Sequence, residues 1–80
     1  MVTVLYFARC REITGTSQET MELPDFVTED TILSHVETKY PDMGSMKGRL
    51  TVAHNQSYMT TGVELSDSDE IALIPPVSGG

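Results

Sequence analysis

The residues best suited to chemistry stand at the C-terminus, which reads Pro75, Pro76, Val77, Ser78, Gly79 and Gly80. Two prolines hold a chain extended, and the side chains that follow shrink until the last two residues have none. Fully extended, six residues reach roughly 20 Å, which is enough to carry Gly80 into a narrow cleft of another protein. We therefore predict that this tail threads into a partner and that the α-carboxylate of Gly80 is the reacting group.

The alternative interpretation of the glycine pair is an inert chain end. At an average glycine usage of about 7%, two terminal glycines occur by chance in roughly one chain in two hundred. The graded decrease in side-chain size before the pair favours the functional interpretation. A C-terminal carboxyl has a pKa of about 3.3 to 3.7, so Gly80 would present an anion at neutral pH.

A second candidate is Cys10, the only cysteine, which stands between Arg9 and Arg11. Neighbouring positive charge favours the thiolate and could make this thiol reactive. No histidine or second cysteine lies near it in sequence, so a packed or half-exposed thiol without a catalytic role is the favoured interpretation. A single cysteine also excludes an internal disulfide and is typical of a reducing, cytoplasmic compartment.

No pattern in the chain predicts a metal or nucleotide site. His35 and His54 have no second histidine or cysteine at ligand spacing. Asp67, Asp69 and Glu70 are acidic like a calcium loop but lack its glycine and its distant glutamate, so a solvated turn is expected. Residues 44–48 place a lysine between glycines without the spacing of a phosphate-binding loop.

Length and charge limit the remaining function classes. A chain of 80 residues and 8.8 kDa allows one small domain with little room for a deep pocket of its own. Its formal net charge of −7 repels phosphate backbones, so nucleic acid is excluded as a partner, and it favours basic protein surfaces. No stretch is apolar enough for a membrane span, and residues 1–7 look like a strand rather than an export signal.

Apolar patterning predicts the elements that would hold this tail. Residues 2–8 read as a central strand covered on both faces or nearly so. Residues 50–54 and 57–59 read as a hairpin around Asn55 and Gln56. One confident helix is capped by Thr28 and ended by Pro41. The other expected elements are a short helix over residues 9–14 closed by Gly15, a strand over 17–23, a loop with at most one helical turn over 42–49, and a final strand over 70–74.

This order of elements resembles the β-grasp, or ubiquitin-like, α+β fold. That fold is a mixed sheet of about five strands covered by one main helix. The step rests on analogy with a known architecture. The prediction is a β-grasp domain over residues 1–74 and an extended tail over residues 75–80.

Three stretches of the chain match the pattern of one known family. They are residues 71–80 preceded by Asp69 and Glu70, residues 5–8 with Arg11, Glu12 and Gly15, and Asn55 with Gln56. They resemble the ending, the start and the middle, in that order, of the small sulfur-carrier subunits of molybdopterin synthase. One departure is Ser68, where the family usually has glycine, and it concerns the geometry of a turn.

The resemblance implies a carrier cycle at Gly80. A ubiquitin-activating-like enzyme would use ATP and magnesium to convert the carboxylate into an acyl adenylate, and a sulfur donor would convert this to a thiocarboxylate. The tail would then give its sulfur to cyclic pyranopterin monophosphate in the large subunit, forming the dithiolene of molybdopterin. Two small and two large subunits make the synthase. The chain would bind no cofactor tightly, and the catalytic pocket would belong to the large subunit.

By the same resemblance, three apolar residues are candidates for a shared docking surface: Phe7, Tyr58 and Ile74. The alternative is that Phe7 and Ile74 are ordinary core, because alternation cannot decide which face of a nearly all-apolar strand is covered.

Other functions stay open at this point. Within carriers, the chain could serve thiamine synthesis or be a ubiquitin-related modifier that forms isopeptide bonds with lysines. A different class is a β-grasp interaction module with an inert tail, and a third is a small enzyme centred on Cys10.

Overall fold

The computed structural model describes residues 1–76, so Val77, Ser78, Gly79 and Gly80 lie outside the described residues. Its helices are α1 (Arg9–Thr14) and α2 (Glu29–Lys39), and a 3₁₀-helix spans Pro41–Met46. The strands are β1 (Val2–Tyr6), β2 (Gln18–Met21), β3 (Phe26–Val27), β4 (Thr51–His54), β5 (Ser57–Tyr58), β6 (Val63–Glu64) and β7 (Glu70–Ile74). None of the helices found in residues 1–76 is long and apolar enough to span a bilayer.

The first and last strands lie side by side at the centre of the main sheet. The strand order is β2-β1-β7-β4-β5, with β3 and β6 forming a separate two-stranded ladder. β1 and β7 run parallel, in a register from Thr3 opposite Glu70 to Tyr6 opposite Leu73. The other neighbours in the main sheet pair antiparallel. With α2 as the one main helix, this mixed five-stranded sheet confirms the predicted β-grasp fold.

β1 differs from its sequence prediction. It ends at Tyr6 rather than at residue 8, and its burial alternates, with Val2, Val4 and Tyr6 buried and the residues between them partly exposed. The two faces of β1 are thus covered unequally, whereas the sequence predicted a strand covered on both faces or nearly so. An almost uninterrupted apolar run hides the period of two that would have identified the covered face.

α2 covers that one face of the sheet. Ile32 and Val36 of the helix are fully buried in one cluster with Val4, Ile71 and Leu73 of the central strands. The helix begins as predicted, since the Thr28 hydroxyl accepts a hydrogen bond from the Thr31 amide at 3.2 Å. It ends before Pro41, as expected for a residue that cannot continue the hydrogen-bond ladder.

Two segments were not predicted in full. The six-residue 3₁₀-helix replaces most of the expected loop, because Met43 and Met46 are buried and anchor it on the core. The β3–β6 ladder was missed altogether, because strands of two residues are too short to show an alternation. Phe26 of β3 is exposed, so an expectation that this apolar side chain is buried would not have identified the strand either.

A single carboxylate on β2 joins three elements on the covered side of the sheet. Glu19 Oε2 accepts hydrogen bonds from the hydroxyls of Tyr6 and Tyr40, both at 2.7 Å, and Glu19 Oε1 accepts one from Lys39. Burial raises the pKa of Glu19, but the hydrogen bonds from Lys39, Tyr6 and Tyr40 outweigh it, so the pKa lies below its usual value. These contacts fasten β1 and β2 to the end of α2.

A second polar group fastens the β4–β5 hairpin to the start of β7. Asp69 Oδ2 accepts hydrogen bonds from His54 Nε2 at 2.8 Å and from the Ser66 amide at 3.0 Å. Asn55 Oδ1 accepts a hydrogen bond from the Glu70 amide at 2.8 Å. The His54 contact, followed by the Ser66 amide, lowers the pKa of Asp69 to about 2. Asp69 thus stabilises the turn through hydrogen bonds and is not a freely solvated acid.

The turn before β7 leads to a stability prediction at Ser68. Its φ of 72° lies in the left-handed region, where a residue with a Cβ is strained. We expect Ser68→Gly to raise the free energy of unfolding by roughly 1 kcal/mol, measured by urea denaturation. Ser34→Gly, at an exposed position in α2, is the matched control and should lower it by about 0.5 to 1 kcal/mol. Destabilisation by both substitutions would show that Ser68 is not strained.

The Asp69 contacts lead to a prediction about acid stability. Because the folded state holds the pKa of Asp69 near 2 while an unfolded aspartate titrates near 3.9, its stabilisation is full above about pH 5 and is lost as the pH falls toward about 2. We expect Asp69→Asn to be less stable than the unaltered chain near neutral pH and to match it near about pH 2. Urea unfolding across this range measures the difference.

The control is Asp25→Asn, because the Asp25 side chain makes no hydrogen bond to the rest of residues 1–76. Its unfolding curve should follow that of the unaltered chain at every pH. A stability deficit of Asp69→Asn that stays constant with pH would contradict the assigned role of its charge.

Candidate functional site

The C-terminal tail begins at the end of β7, and we call residues 74–76 the tail root. Ile74 is half-buried, Pro75 is buried and Pro76 is exposed. Neither proline donates a backbone hydrogen bond, so the sheet cannot continue past them. Pro76 is the first exposed residue after β7, and the predicted tail begins one residue earlier, at Pro75. The predicted tail residues Val77, Ser78 and Gly79, and the reacting residue Gly80, lie outside the described residues.

The parallel pairing of β1 and β7 places the end of β1 beside this root. The Phe7 amide donates to the Leu73 carbonyl at 3.3 Å, which extends the ladder one step beyond β1. Phe7 is 45% exposed, so the alternative that it is an ordinary core residue is wrong. Ile74 lies beside it across the ladder and is only half-buried.

The chain turns sharply after Phe7. Ala8 has φ 47° and ψ −120°, a conformation that residues with a Cβ rarely adopt. Such strain costs of order 1 to 3 kcal/mol and often occurs beside functional sites. It turns the chain from β1 directly into α1 and leaves Phe7 at the end of the sheet.

A groove of about 590 Å³ opens at the tail root. The side chains that line it come from the β1–α1 turn, α1, the 3₁₀-helix with its following loop, and the end of β7 with the two prolines after it. They are Phe7, Ala8, Arg9, Glu12, Met46, Arg49, Ile74, Pro75 and Pro76. The groove therefore joins two of the predicted docking residues to the two prolines at which the tail begins.

The three predicted docking residues, Phe7, Tyr58 and Ile74, lie on the face of the sheet opposite α2, which we call the open face. Leu5, Ala53 and Ala72 lie on the same face. None of these six belongs to the main core cluster. The register aligns Leu5, Ala72, Ala53 and Tyr58 in one row across four strands. Alanines on the neighbouring strands β7 and β4 thus leave a shallow apolar floor between larger side chains. Tyr58, 72% exposed, stands at the far edge and does not line the groove.

Cys10 is fully buried in the core, as the packed-thiol interpretation predicted. Burial raises the pKa of its thiol, so the flanking arginines do not produce a reactive thiolate. This environment argues against an enzyme centred on Cys10.

Across residues 1–76, no group of three or more histidine, cysteine or acidic side chains is arranged to hold a metal ion. His54 and Asp69 contact one another in the turn before β7, while His35 is exposed on α2 and contacts its own helix through the Thr31 carbonyl.

Sequence reasoning missed Met46 and Arg49 as neighbours of the tail root. Both come from the segment predicted as a loop, and their position depends on the 3₁₀-helix that brings it to the end of β7. No local pattern records that contact, because nearly thirty residues separate Met46 from Pro75.

The chain is similar to proteins of a known family. The profile of the ThiS family matches residues 4–80. A relative from Drosophila melanogaster, named molybdopterin synthase sulfur carrier subunit, is 38% identical over 82 aligned residues, which cover 99% of this chain and 90% of the relative.

Two solved structures share the fold. The solution structure of the small archaeal modifier protein 1 from Methanosarcina acetivorans is 33% identical, with a TM-score of 0.74 and coverage of 99% of this chain and 95% of the other. A chain in the complex of subunits 1 and 2 of the molybdopterin-converting factor from Helicobacter pylori is 24% identical, with a TM-score of 0.60 and coverage of 99% and 97%.

Proposed function

Because this chain belongs to the ThiS family, we propose that it is a sulfur-carrier subunit of molybdopterin synthase. The observation that carries the proposal is the placement of the tail root beside the groove and the apolar open face. A partner that covers this end of the sheet would receive the tail in its own pocket. The relative from Drosophila melanogaster supports the specific branch of the family by its name.

The proposed chemistry begins with activation of the Gly80 carboxylate. A carboxylate resists nucleophilic attack until one oxygen becomes a good leaving group. In an activating enzyme similar to those of ubiquitin pathways, a carboxylate oxygen attacks the α-phosphorus of ATP and pyrophosphate leaves. Magnesium and ATP belong to that enzyme, and this chain binds no cofactor tightly.

Sulfur transfer then takes place at the acyl carbon. A sulfur nucleophile at the oxidation level of sulfide attacks this carbon and displaces AMP, which leaves a thiocarboxylate without net oxidation or reduction. In the large subunit, the sulfur of the thiocarboxylate would form a bond to a carbon of cyclic pyranopterin monophosphate, and water would hydrolyse the resulting thioester back to the Gly80 carboxylate. Each thiocarboxylate delivers one sulfur, so two of them supply the two sulfur atoms of the dithiolene. Gly80 is therefore a group carrier, while the partner orients the reaction.

The tail suits this role through its small cross-section. Two prolines stiffen the exit, and Val77, Ser78 and Gly79 become progressively smaller toward Gly80. We propose that these residues thread into a narrow channel of the large subunit. Two carrier chains and two large subunits would form the heterotetramer.

A second function is favoured by the relationship to the archaeal modifier protein at 33% identity. An adenylated Gly80 attacked by a lysine amine, rather than by sulfur, would form an isopeptide bond. Sulfur transfer and isopeptide formation begin from the same activated carboxylate. The two functions are therefore distinguished by the product, which is a thiocarboxylate in one case and an isopeptide in the other.

We expect the intact mass of the chain to rise by one oxygen-to-sulfur exchange after incubation with the activating enzyme, ATP, magnesium and a sulfur donor. Deletion of Gly80, or addition of one residue after it, should abolish this change because the reacting carboxylate is displaced from the activating site. Mass spectrometry with C-terminal fragmentation locates the added sulfur.

Cys10→Ser is the control and should gain sulfur as the unaltered chain does. Sulfur added equally to the chain lacking Gly80 would refute the carrier proposal. Attachment to lysines of other proteins would instead identify a modifier.

For docking, we expect Phe7→Asp to lower the affinity for the large subunit by at least about tenfold, because a charge would be buried in an apolar contact. Its free energy of unfolding should change by no more than about 1 kcal/mol, since Phe7 is nearly half exposed. Titration calorimetry and urea denaturation measure the two quantities.

Tyr58→Asp and Ile74→Asp test the other two docking residues in the same way. Ser34→Asp, on the helix that covers the opposite face, is the control and should bind normally. Undiminished binding by all three variants of the open face would exclude it as the docking surface.

A further inference from the structure

The basic residues of this acidic chain are concentrated in two segments. Four of the five are Arg9, Arg11, Lys47 and Arg49, while the chain as a whole carries −7. The fifth, Lys39, is paired with Glu19 at the end of α2. Whole-chain charge alone favours basic partner surfaces, but it does not describe the end of the molecule from which the tail leaves.

The groove at the tail root has the opposite sign to the rest of the chain. Its charged side chains are Arg9, Arg49 and Glu12. Arg9 Nη1 donates to Glu12 Oε1 at 3.0 Å in an exposed pair, which neutralises one arginine. Arg49 makes no salt bridge with any residue in the range 1–76 and is exposed. The groove is therefore an apolar depression with an excess positive charge at its rim.

The backbone holds Arg49 at this rim. The Lys47 amide donates to the Gly44 carbonyl at 3.2 Å, and the Arg49 amide donates to the Met46 carbonyl at 2.9 Å. Gly48 between them has φ 78°, a left-handed conformation that glycine adopts at little cost. Because Met46 is buried, this turn fixes the base of Arg49 beside the core while its guanidinium stays available.

We propose that the large subunit meets this groove with an apolar surface bordered by carboxylates, and that Arg49 pairs with them. This inference rests on the proposed function, since it describes the partner that receives the tail. An acidic border repels most of this chain and attracts only its basic end. The field therefore orients the approaching molecule with its tail toward the partner before contact. A guanidinium fits this role because it binds a carboxylate through two parallel hydrogen bonds.

The proposal is tested by reversing the charge of Arg49 and measuring whether association with the large subunit becomes slower or faster. Arg49→Glu should slow association with the large subunit about five- to tenfold at about 0.01 M ionic strength, where the Debye length is about 30 Å. The difference should shrink at about 0.15 M. Stopped-flow fluorescence measures the association rate, and circular dichroism checks that the variant is folded.

Two further variants separate this role from net charge and from packing. Arg49→Lys keeps the charge and should associate within about twofold of the unaltered chain. The double variant Ser34→Glu with Thr38→Glu makes the same change in net charge on exposed positions of α2 and should also stay within about twofold.

Faster association of Arg49→Glu would overturn the proposal, because it would indicate a basic border on the partner. An unchanged rate, or equal slowing by the α2 double variant, would overturn it as well. Failure of the unaltered chain to bind the large subunit would refute the proposed function itself, and this inference with it.

Discussion

The parallel pairing of β1 with β7 is the constraint on which the rest of the molecule depends. Parallel neighbours cannot be joined by a tight turn, so the whole chain between Tyr6 and Glu70 serves as the crossover. Within it, α2 packs on one face of the sheet and buries the central strands. Parallel strands also end at the same edge, so the chain leaves the sheet beside Phe7 rather than at a distant corner.

This constraint leaves the two faces of the sheet in different environments. One face is covered by α2 and secured by the Glu19 carboxylate, which holds the end of the helix against two strands. The other face keeps alanines at its centre and larger apolar groups around them. The main core cluster lies on the covered face, so we expect substitutions of the exposed residues on the open face to leave the domain folded.

Much of the fold could be predicted from the sequence, where local physics dominates. Thr28 and Pro41 bracket α2, Gly15 closes α1, and paired prolines end β7, since each acts through its own backbone geometry. The β3–β6 ladder and the 3₁₀-helix escaped prediction because distant packing, not local pattern, stabilises them. The covered face of β1 was also ambiguous, since its residues are apolar on both sides.

The candidate site also contains residues that could be proposed from the sequence and residues that could not. Its apolar docking residues and its tail were proposed from resemblance and composition, and the register brings Phe7 and Ile74 together at the tail root. Arg49 and Met46 could not be placed there, because their position requires the complete crossover. The acidity of the chain also pointed to a basic partner, and a charge sum carries no information about where the few cations lie.

The burial of Cys10 has a practical consequence for labelling. A thiol-alkylating reagent reacts with the thiolate, and the chain's one cysteine is both shielded and held in its protonated form. A thioacid at the chain end would be ionised and accessible to the same reagent. Brief alkylation of the native protein would therefore tag the sulfur-loaded form and leave the unloaded form unmarked, so a single gel could report the loaded fraction.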